Sequence, residues 1–342
     1  MSGAPIATVA PRALLIVIPC LNEEAHLPGL LDWLRHDPET AQARIVVVDG
    51  GSADRSAEIV RAHAEADPRV LLVHNPKRIQ SAALNLAARL HGGEAELLIR
   101  IDAHAAYPID FLTRLIGAHD ESGADSVTVS MRARSETGAC FQSAAAAAQN
   151  SPLGTGGSPH RAGGERRWVE HGHHALFQMK TFSQIGGYDE SFTHNEDAEL
   201  DARLTAQGGR ILLAADILID YFPRKTARAL ARQYFMYGRG RARTLLKHRQ
   251  KLKPRQLAPL VIAPAALLAL LAPLQPLALA PAAVWLSLSL IYGFALGLRS
   301  GESCAWASGA PAALSHVAWS AGFWRQIIAS LWKGAPKPAL AS

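Results

Sequence analysis

Short, wholly apolar runs alternate with amphipathic stretches along the first two thirds of the chain. Ala13-Leu-Leu-Ile-Val-Ile18, bounded by Pro11 and Pro19, predicts a central parallel strand, because a strand buried on both faces loses the in-out alternation. Leu27, Leu30, Leu31 and Leu34 recur at helical spacing and predict a helix over Leu27–Arg35. Arg44–Asp49 is a second, β-branched strand, broken by Gly50-Gly51-Ser52. Asp54-Arg-Ser56 then opens a helix to about Ala64, with Ser or Asp available as N-cap. The pattern goes on with a strand over Val70–His74, an Ala-rich helix over Gln80–Leu90 and a strand over Glu96–Ile101. A helix over Phe111–His119 and a strand over Ala124–Met131 follow. Ser143–Gly164 reads as a helix and then a Gly-rich loop. Trp168–Glu170 is extended, and Phe182–Glu190 is a helix ended by a glycine cap and a turn. Ala198–Ala206 is a helix stopped by Gly208-Gly209, and Ile211–Ala214 is the last strand. Strands and helices alternating at this spacing predict βαβ units and an open parallel sheet, an α/β domain over residues 1–222.

The pattern changes near the end. From Gln256 to Leu298 there is no Asp, Glu, Lys or Arg. Leu257–Leu274 and Leu277–Leu298 each supply about one membrane span, with Pro273 and Pro276 at the turn, so residues 256–298 predict a transmembrane hairpin. Two buried core helices are the competing explanation, a weak one for two adjacent runs of this length. In residues 299–342, Cys304–Trp332 is apolar and Trp-rich but carries His316 and Arg325. A third span and a helix lying in the interface plane both fit it.

Composition sharpens this division. The chain is 49% hydrophobic and 19% charged over 342 residues, an imbalance owed mostly to its last third. The net charge of +6 conceals a basic segment, residues 223–255, with twelve Lys or Arg and no acid. Taking those twelve from the 35 leaves 23 basic against 29 acidic side chains elsewhere. Such a block suits nucleic acid or an anionic membrane surface, and the charge-free run behind it decides for membrane lipids and against nucleic acid. By the positive-inside rule, with Arg299 after the second run, both hairpin ends and the N-terminal domain are expected in the cytoplasm, at the inner membrane. Cys20, Cys140 and Cys304 are far apart, so no disulfide and a reducing compartment are expected. Ala13–Ile18 is too short for a signal peptide core, and none is expected.

Candidate chemistry gathers at strand ends. The run Leu97–Ile101 stops at Asp102-Ala-His104, where a carboxylate and an imidazole two residues apart can reach one divalent cation. Asn22-Glu23 and Asp49 also sit at carboxyl ends of strands, where open α/β sheets bind ligands. His194-Asn-Glu-Asp-Ala-Glu-Leu-Asp201 is a second acidic cluster, able to supply a general base. The plainer alternative makes Asp102 a turn cap and the acidic run a solvated helix N-terminus. His171-Gly172-His173-His174 is too crowded for a tetrahedral metal set and reads as a strand edge lining a pocket.

Taken in order, Pro19-Cys-Leu-Asn-Glu23, Asp49-Gly-Gly-Ser-Ala-Asp54, Asn85, Asp102-Ala-His104, Gly186-Gly-Tyr-Asp189 and Asn195-Glu-Asp197 resemble the family 2 glycosyltransferases of the GT-A fold, from about Leu14 to Tyr221. Arg232–Gly238 and the C-terminal hydrophobic segment resemble, more narrowly, the ExoA-type enzymes of succinoglycan and related exopolysaccharides. The resemblance implies a nucleotide pocket of Pro19, Asn22, Glu23 and Asp49, with Asp54 holding the turn or touching the nucleotide and Asn85 and Asp102 completing the donor site. It implies Asp102 and His104 as ligands of Mn²⁺ or Mg²⁺ beneath the donor diphosphate. The family more often has Asp where His104 stands, and imidazole favours Mn²⁺. Asp197 matches the catalytic base, with Glu196 beside it. Arg232, Gln233, Tyr234, Tyr237, Arg239 and His171 would serve the diphosphate and the acceptor. Related processive synthases carry Gln-x-x-Arg-Trp near here, and its Trp is absent, which speaks against a polymer synthase. The resemblance implies an inverting hexosyl transfer, of glucose by analogy, from a UDP-sugar to a polyprenyl-diphosphate-linked saccharide. A polyprenyl-phosphate sugar transferase and a non-catalytic sugar-nucleotide-binding scaffold are the alternatives.

Overall fold

The computed structural model describes residues 12–158, 161, 163–252, 254–302 and 304–332. In chain order it runs β1 (Leu14–Cys20), α1 (Leu27–His36), β2 (Arg44–Asp49), α2 (Ser56–Ala66), β3 (Val70–His74), α3 (Gln80–His91), β4 (Leu97–Arg100) and β5 (Ala105–Ala106). Then come α4 (Phe111–Ser122), β6 (Ser126–Ala133), α5 (Cys140–Gln149), α6 (Pro152–Thr155), β7 (Arg167–Val169), β8 (His173–Gln178), α7 (Met179–Gln184), α8 (Glu196–Ala206) and β9 (Ile211–Tyr221). The last helices are α9 (Ala227–His248), α10 (Pro254–Leu260), α11 (Ile262–Leu268), α12 (Ala280–Ser300) and α13 (Gly309–Trp332).

The apolar runs form the sheet they predict. β1 lies parallel to β2 and β4, with Ile16 beside Ile45 and Ile99, and all three side chains are fully buried. The order is β3-β2-β1-β4-β8-β6-β9-β5, with β7 on β9. The sheet is mixed rather than purely parallel, because β8 runs antiparallel to both β4 and β6. An apolar run reports burial on both faces, not strand direction. β9 also extends well past Ala214. Asp216 and Asp220 interrupt its apolar pattern but are paired, Asp216 with Arg166 at 3.0 Å and Asp220 with Arg132 at 2.8 Å.

The chain packs as two compact units. One comprises the chain up to Val129 with Arg166–Glu190 and Arg203–Ile217; the other comprises Ser130–Glu165, Ser191–Ala202 and Leu218 onward. In the second unit α13 lies along α9 at close range. A Cβ at Gly238 would collide with the Trp319 carbonyl, and one at Gly322 with the Phe235 carbonyl. Thus glycine on each helix admits the other's backbone, as in close helix crossings generally.

The expected span Leu257–Leu274 is not one continuous helix. It is built of α10, α11 and a 3₁₀ turn at Ala269–Leu271, with Pro259 inside α10. The physical cause is proline, which removes backbone donors. Pro264 cannot donate to the Leu260 carbonyl, and that oxygen instead accepts from Ser320 Oγ at 3.0 Å and Trp324 Nε1 at 2.8 Å. The expected second run is continuous: Pro276–Ser300 is one helical stretch of 25 residues, long and apolar enough to cross a membrane. Cys304–Trp332 contains α13, and the tail from Lys333 lies outside the described residues.

The cysteine expectation is also corrected, since Cys140 and Cys304 form a disulfide across 164 residues of sequence. Spacing along the chain carries no information about such a pairing; it takes the fold to bring α5 and the α12–α13 connection together. Cys20 is buried, and burial above all pushes its thiol up to about 11. Alkylation of the unreduced native protein near pH 8 should therefore label no cysteine, and reduction should expose two reactive thiols. Labelling of Cys140 without reductant would contradict the pairing.

Candidate active site

The carboxyl ends of β1, β2 and β4 lie side by side in the first unit, and each carries acidic residues. Pro19 lies opposite Val48, one residue before the end of β1. Asn22 follows with a φ of 58°, a left-handed conformation that Asn tolerates better than most residues. Its Oδ1 accepts from the Ala53 amide at 2.8 Å, and its own amide donates to Ser52 Oγ. Asp49 is buried at the end of β2, where it accepts from the amides of Gly51 and Ser52 and from Ser52 Oγ. Asp54 accepts from the amide and hydroxyl of Ser56 and from the Glu24 amide. Asp49 thus braces the turn that joins β2 to α2, and Asp54 ties the start of α2 to the segment after β1.

Asp102 follows β4, and its surroundings are dense. Its backbone amide donates to Tyr107 Oη at 2.7 Å, and the Tyr107 ring stacks on Trp33 with centroids 5.7 Å apart. Oδ1 accepts from Arg100 Nε and from Gln80 Nε2, both at 2.9 Å. Oδ2 accepts from Arg100 Nη2 at 3.1 Å and faces His173 Nε2 at 3.6 Å. Burial favours the neutral acid, but the Arg100 guanidinium and the His173 imidazole overrule it and hold the carboxyl well below the usual range. His104, half exposed, is turned to Glu23, with Nδ1 2.8 Å from Oε1.

An ionised carboxylate flanked by imidazoles and a further carboxylate is a donor set suited to a divalent cation. No three His, Cys, Asp or Glu side chains form a closed metal cage among the described residues. An ion here would take its remaining ligands from substrate phosphate and water, as phosphate-bound Mg²⁺ sites generally do.

Asn85 lies elsewhere in the first unit. It is buried in α3 and clamps the turn after α7, donating to the Tyr188 carbonyl and Glu190 and accepting from the Tyr188 amide at 2.8 Å. Gly187, at a φ of 65°, has no room for a Cβ against Asn85 Oδ1. His171 precedes β8, whose two histidines diverge. His174 is buried, with Nδ1 2.7 Å from Ser126 Oγ, while His173 meets Asp102. β8 is an inner strand, not an edge.

Glu196 and Asp197 open α8 in the second unit, both partly exposed. Asn195 precedes them at a φ of 64°, and its Nδ2 donates to Thr244 Oγ1 of α9. Gly240 allows this approach, since a Cβ there would lie 2.5 Å from the His194 carbonyl. Farther along α8, Glu199 is fully buried and pairs with Lys247 at 2.6 Å and His248 at 3.1 Å. α9 is therefore the support on which the acidic segment rests. The same helix carries Arg232, Gln233, Tyr234, Tyr237 and Arg239. Gln233 Nε2 donates to Tyr221 Oη and Tyr237 Oη, both at 2.9 Å, and the Tyr234 and Tyr237 rings meet edge to face. Arg232 is exposed.

Arg100, Gln80 and Tyr107 have no role predicted from the sequence, and His173 is expected there only at a strand edge lining a pocket. Arg100 carried a readable signal, because a lone charge in a buried apolar strand requires a partner.

Residues 15–186 match the model of "Glycosyl transferase family 2". The chain is 48% identical over 314 residues to "Succinoglycan biosynthesis protein ExoA" of Rhizobium meliloti, covering 92% of this chain and 94% of that protein. It is 34% identical over 129 residues to a polyprenol monophosphomannose synthase of Mycolicibacterium smegmatis, covering 36% of this chain and 47% of the relative. Among solved structures, a mannosyltransferase of Pyrobaculum calidifontis in complex with GDP-Man and Mn²⁺ superposes with a TM-score of 0.59 at 22% identity, over 91% of this chain and 87% of that one, a likeness of fold. The chain belongs to glycosyl transferase family 2.

Proposed function

We propose that the chain is a membrane-seated, divalent-metal-dependent inverting glycosyltransferase of exopolysaccharide assembly, moving a sugar, glucose in the first instance, from a UDP-sugar to a polyprenyl-diphosphate-linked saccharide. The observation that carries this reading is the match to the succinoglycan protein along 94% of that protein's length, C-terminal segment included. Asp102, with Arg100 and His173 around it, would form the diphosphate end of the donor site. A bound divalent cation would offset the charge that develops on the leaving diphosphate. Asp197, with Glu196 as its neighbour, would accept the proton of the attacking hydroxyl, and one direct displacement inverts the anomeric carbon.

Membrane seating is supported by where apolar side chains are left uncovered. Large exposed ones concentrate from Leu257 onward, with Leu274 86% and Trp332 87% exposed. In the most apolar window of Pro276–Ser300 only 17% of residues are buried, which is unlike the core helix of a soluble protein. The basic residues of α9 and the segment after it suit an anionic lipid surface and a polyprenyl diphosphate. Cytoplasmic orientation at the inner membrane follows from the same charge bias.

The test uses the full chain in detergent, presented with UDP- and GDP-sugars and two acceptors. Nucleotide release is expected with a UDP-sugar and a polyprenyl-diphosphate saccharide. Chelation by EDTA should abolish it, with Mn²⁺ restoring it at least as well as Mg²⁺. Full turnover under EDTA would end the metal-dependent reading. Transfer to bare polyprenyl phosphate would establish the second reading, which the partial match to the polyprenol monophosphomannose synthase favours.

A further inference from the structure

The geometry points to His173, not His104, as the imidazole that joins Asp102 on the divalent cation. This assignment rests on the metal-dependent reading above and concerns which side chain of this chain serves it. Among His104, His171, His173 and His174, motif position alone favours His104. Strand geometry ranks them. Consecutive residues of β8 face opposite sides of the sheet. His174 is committed to the interior, bonded to Ser126 Oγ and stacked on Phe177 with centroids 4.5 Å apart. His173 therefore takes the other side, where its Nε2 stands 3.6 Å from Asp102 Oδ2.

Two local features set that aim. The β6–β8 pairing shifts register between Val127 and Thr128, an irregularity of the kind that re-aims a side chain. Gly172, just before the strand, lies so close to Thr128 that an added Cβ would come within 2.5 Å of Oγ1. Both bring the start of β8 against β6 and fix where His173 points.

The separation itself is informative. At 3.6 Å the contact is too long for a hydrogen bond, yet within the span of two ligands that each sit about 2.0–2.2 Å from one ion. Arg100 grips Asp102 through both oxygens and Gln80 adds to Oδ1, so the carboxylate is oriented with Oδ2 toward His173. His104 instead makes a contact of hydrogen-bond length with Glu23. Its role is then to hold Glu23 at the end of β1. With one carboxylate and one imidazole from the protein, the diphosphate supplies further ligands, and imidazole shifts preference from Mg²⁺ toward Mn²⁺.

The experiment reads the metal and not turnover alone. Mn²⁺ is added to the detergent-solubilised full chain with UDP or GDP, and electron spin-echo modulation detects imidazole nitrogen coupled to the ion. Coupling is expected in the native protein and in His104→Ala, and is expected to vanish in His173→Ala, with Mn²⁺ affinity falling about tenfold or more. His173→Asp, which exchanges one ligand for another, should retain binding, lose the nitrogen signal and move preference toward Mg²⁺. This second variant guards against a folding defect in His173→Ala. Loss of the nitrogen signal in His104→Ala with its survival in His173→Ala would overturn the assignment while sparing the metal. Absence of any Mn²⁺ binding to native protein would overturn both.

Discussion

Asp197→Asn is expected to lower turnover by about 10²–10⁴-fold while leaving donor and Mn²⁺ binding nearly unchanged. The substitution keeps the size and most of the hydrogen-bonding geometry of the side chain but cannot take a proton from the acceptor hydroxyl. In barrier terms the loss is roughly 3–5 kcal/mol. Glu196→Gln should cost less, because adjacent helical residues point about 100° apart and only one can face the acceptor squarely. The surroundings of α8 make the comparison clean. Its first turn is held from α9 through Asn195–Thr244 and, one turn on, through the buried Glu199 with Lys247 and His248. Those contacts lie outside the substituted side chains, and unchanged thermal unfolding of each variant shows that a fall in turnover reports chemistry rather than a displaced helix. Calorimetric donor binding measured beside turnover separates the cases. A larger loss in Glu196→Gln would make Glu196 the base, and wild-type turnover in Asp197→Asn would end the proposed mechanism.

Asp102 could be located from sequence because an apolar run reports its own end: Leu97–Ile101 is buried, and the first polar residue after it lies at the strand terminus. The same logic reached Glu23 and Asp49. It stopped short of telling a ligand from a brace. Asp49 and Asn85 are polar residues in the right motifs, and in the fold both also brace turns, after β2 and after α7. Which histidine meets Asp102 was beyond the sequence for a different reason. A one-residue change in strand register exchanges faces, and the irregularity in β8, at Ala175, leaves no mark on the hydrophobic pattern. The broken helices at Pro259 and Pro264 were in plain view, but a hydropathy window weighs composition and ignores backbone donors. The Cys140–Cys304 pairing has no local signal of any kind.

Gly238→Val is expected to destabilise the second unit by about 3 kcal/mol or more and to take turnover down with it. At this position the obstacle is the Trp319 carbonyl and the Phe323 amide, backbone atoms that cannot rotate aside as a side chain would. Relief requires α13 to move off α9. That would open the packing in which Leu245 and Phe323 are buried and Trp319 is partly covered. Gly322→Val meets the Phe235 carbonyl from the opposite helix and should behave the same way. The two changes press on one interface, so their combined cost should fall below the sum of the single costs. The effect should also reach the acidic segment, because Gly240, half a turn from Gly238, seats the His194–Asn195 backbone. Gly117→Ala in α4 is the control: nothing lies within 4 Å of an added Cβ there, and alanine in an open helical position should be neutral or stabilise by up to about 1 kcal/mol. Thermal unfolding in detergent of the three variants, followed by turnover of the folded fraction, gives the comparison. If Gly238→Val unfolds at the temperature of the native chain, α9 and α13 are not packed through their backbones, and the support assigned to the acidic segment falls with that contact.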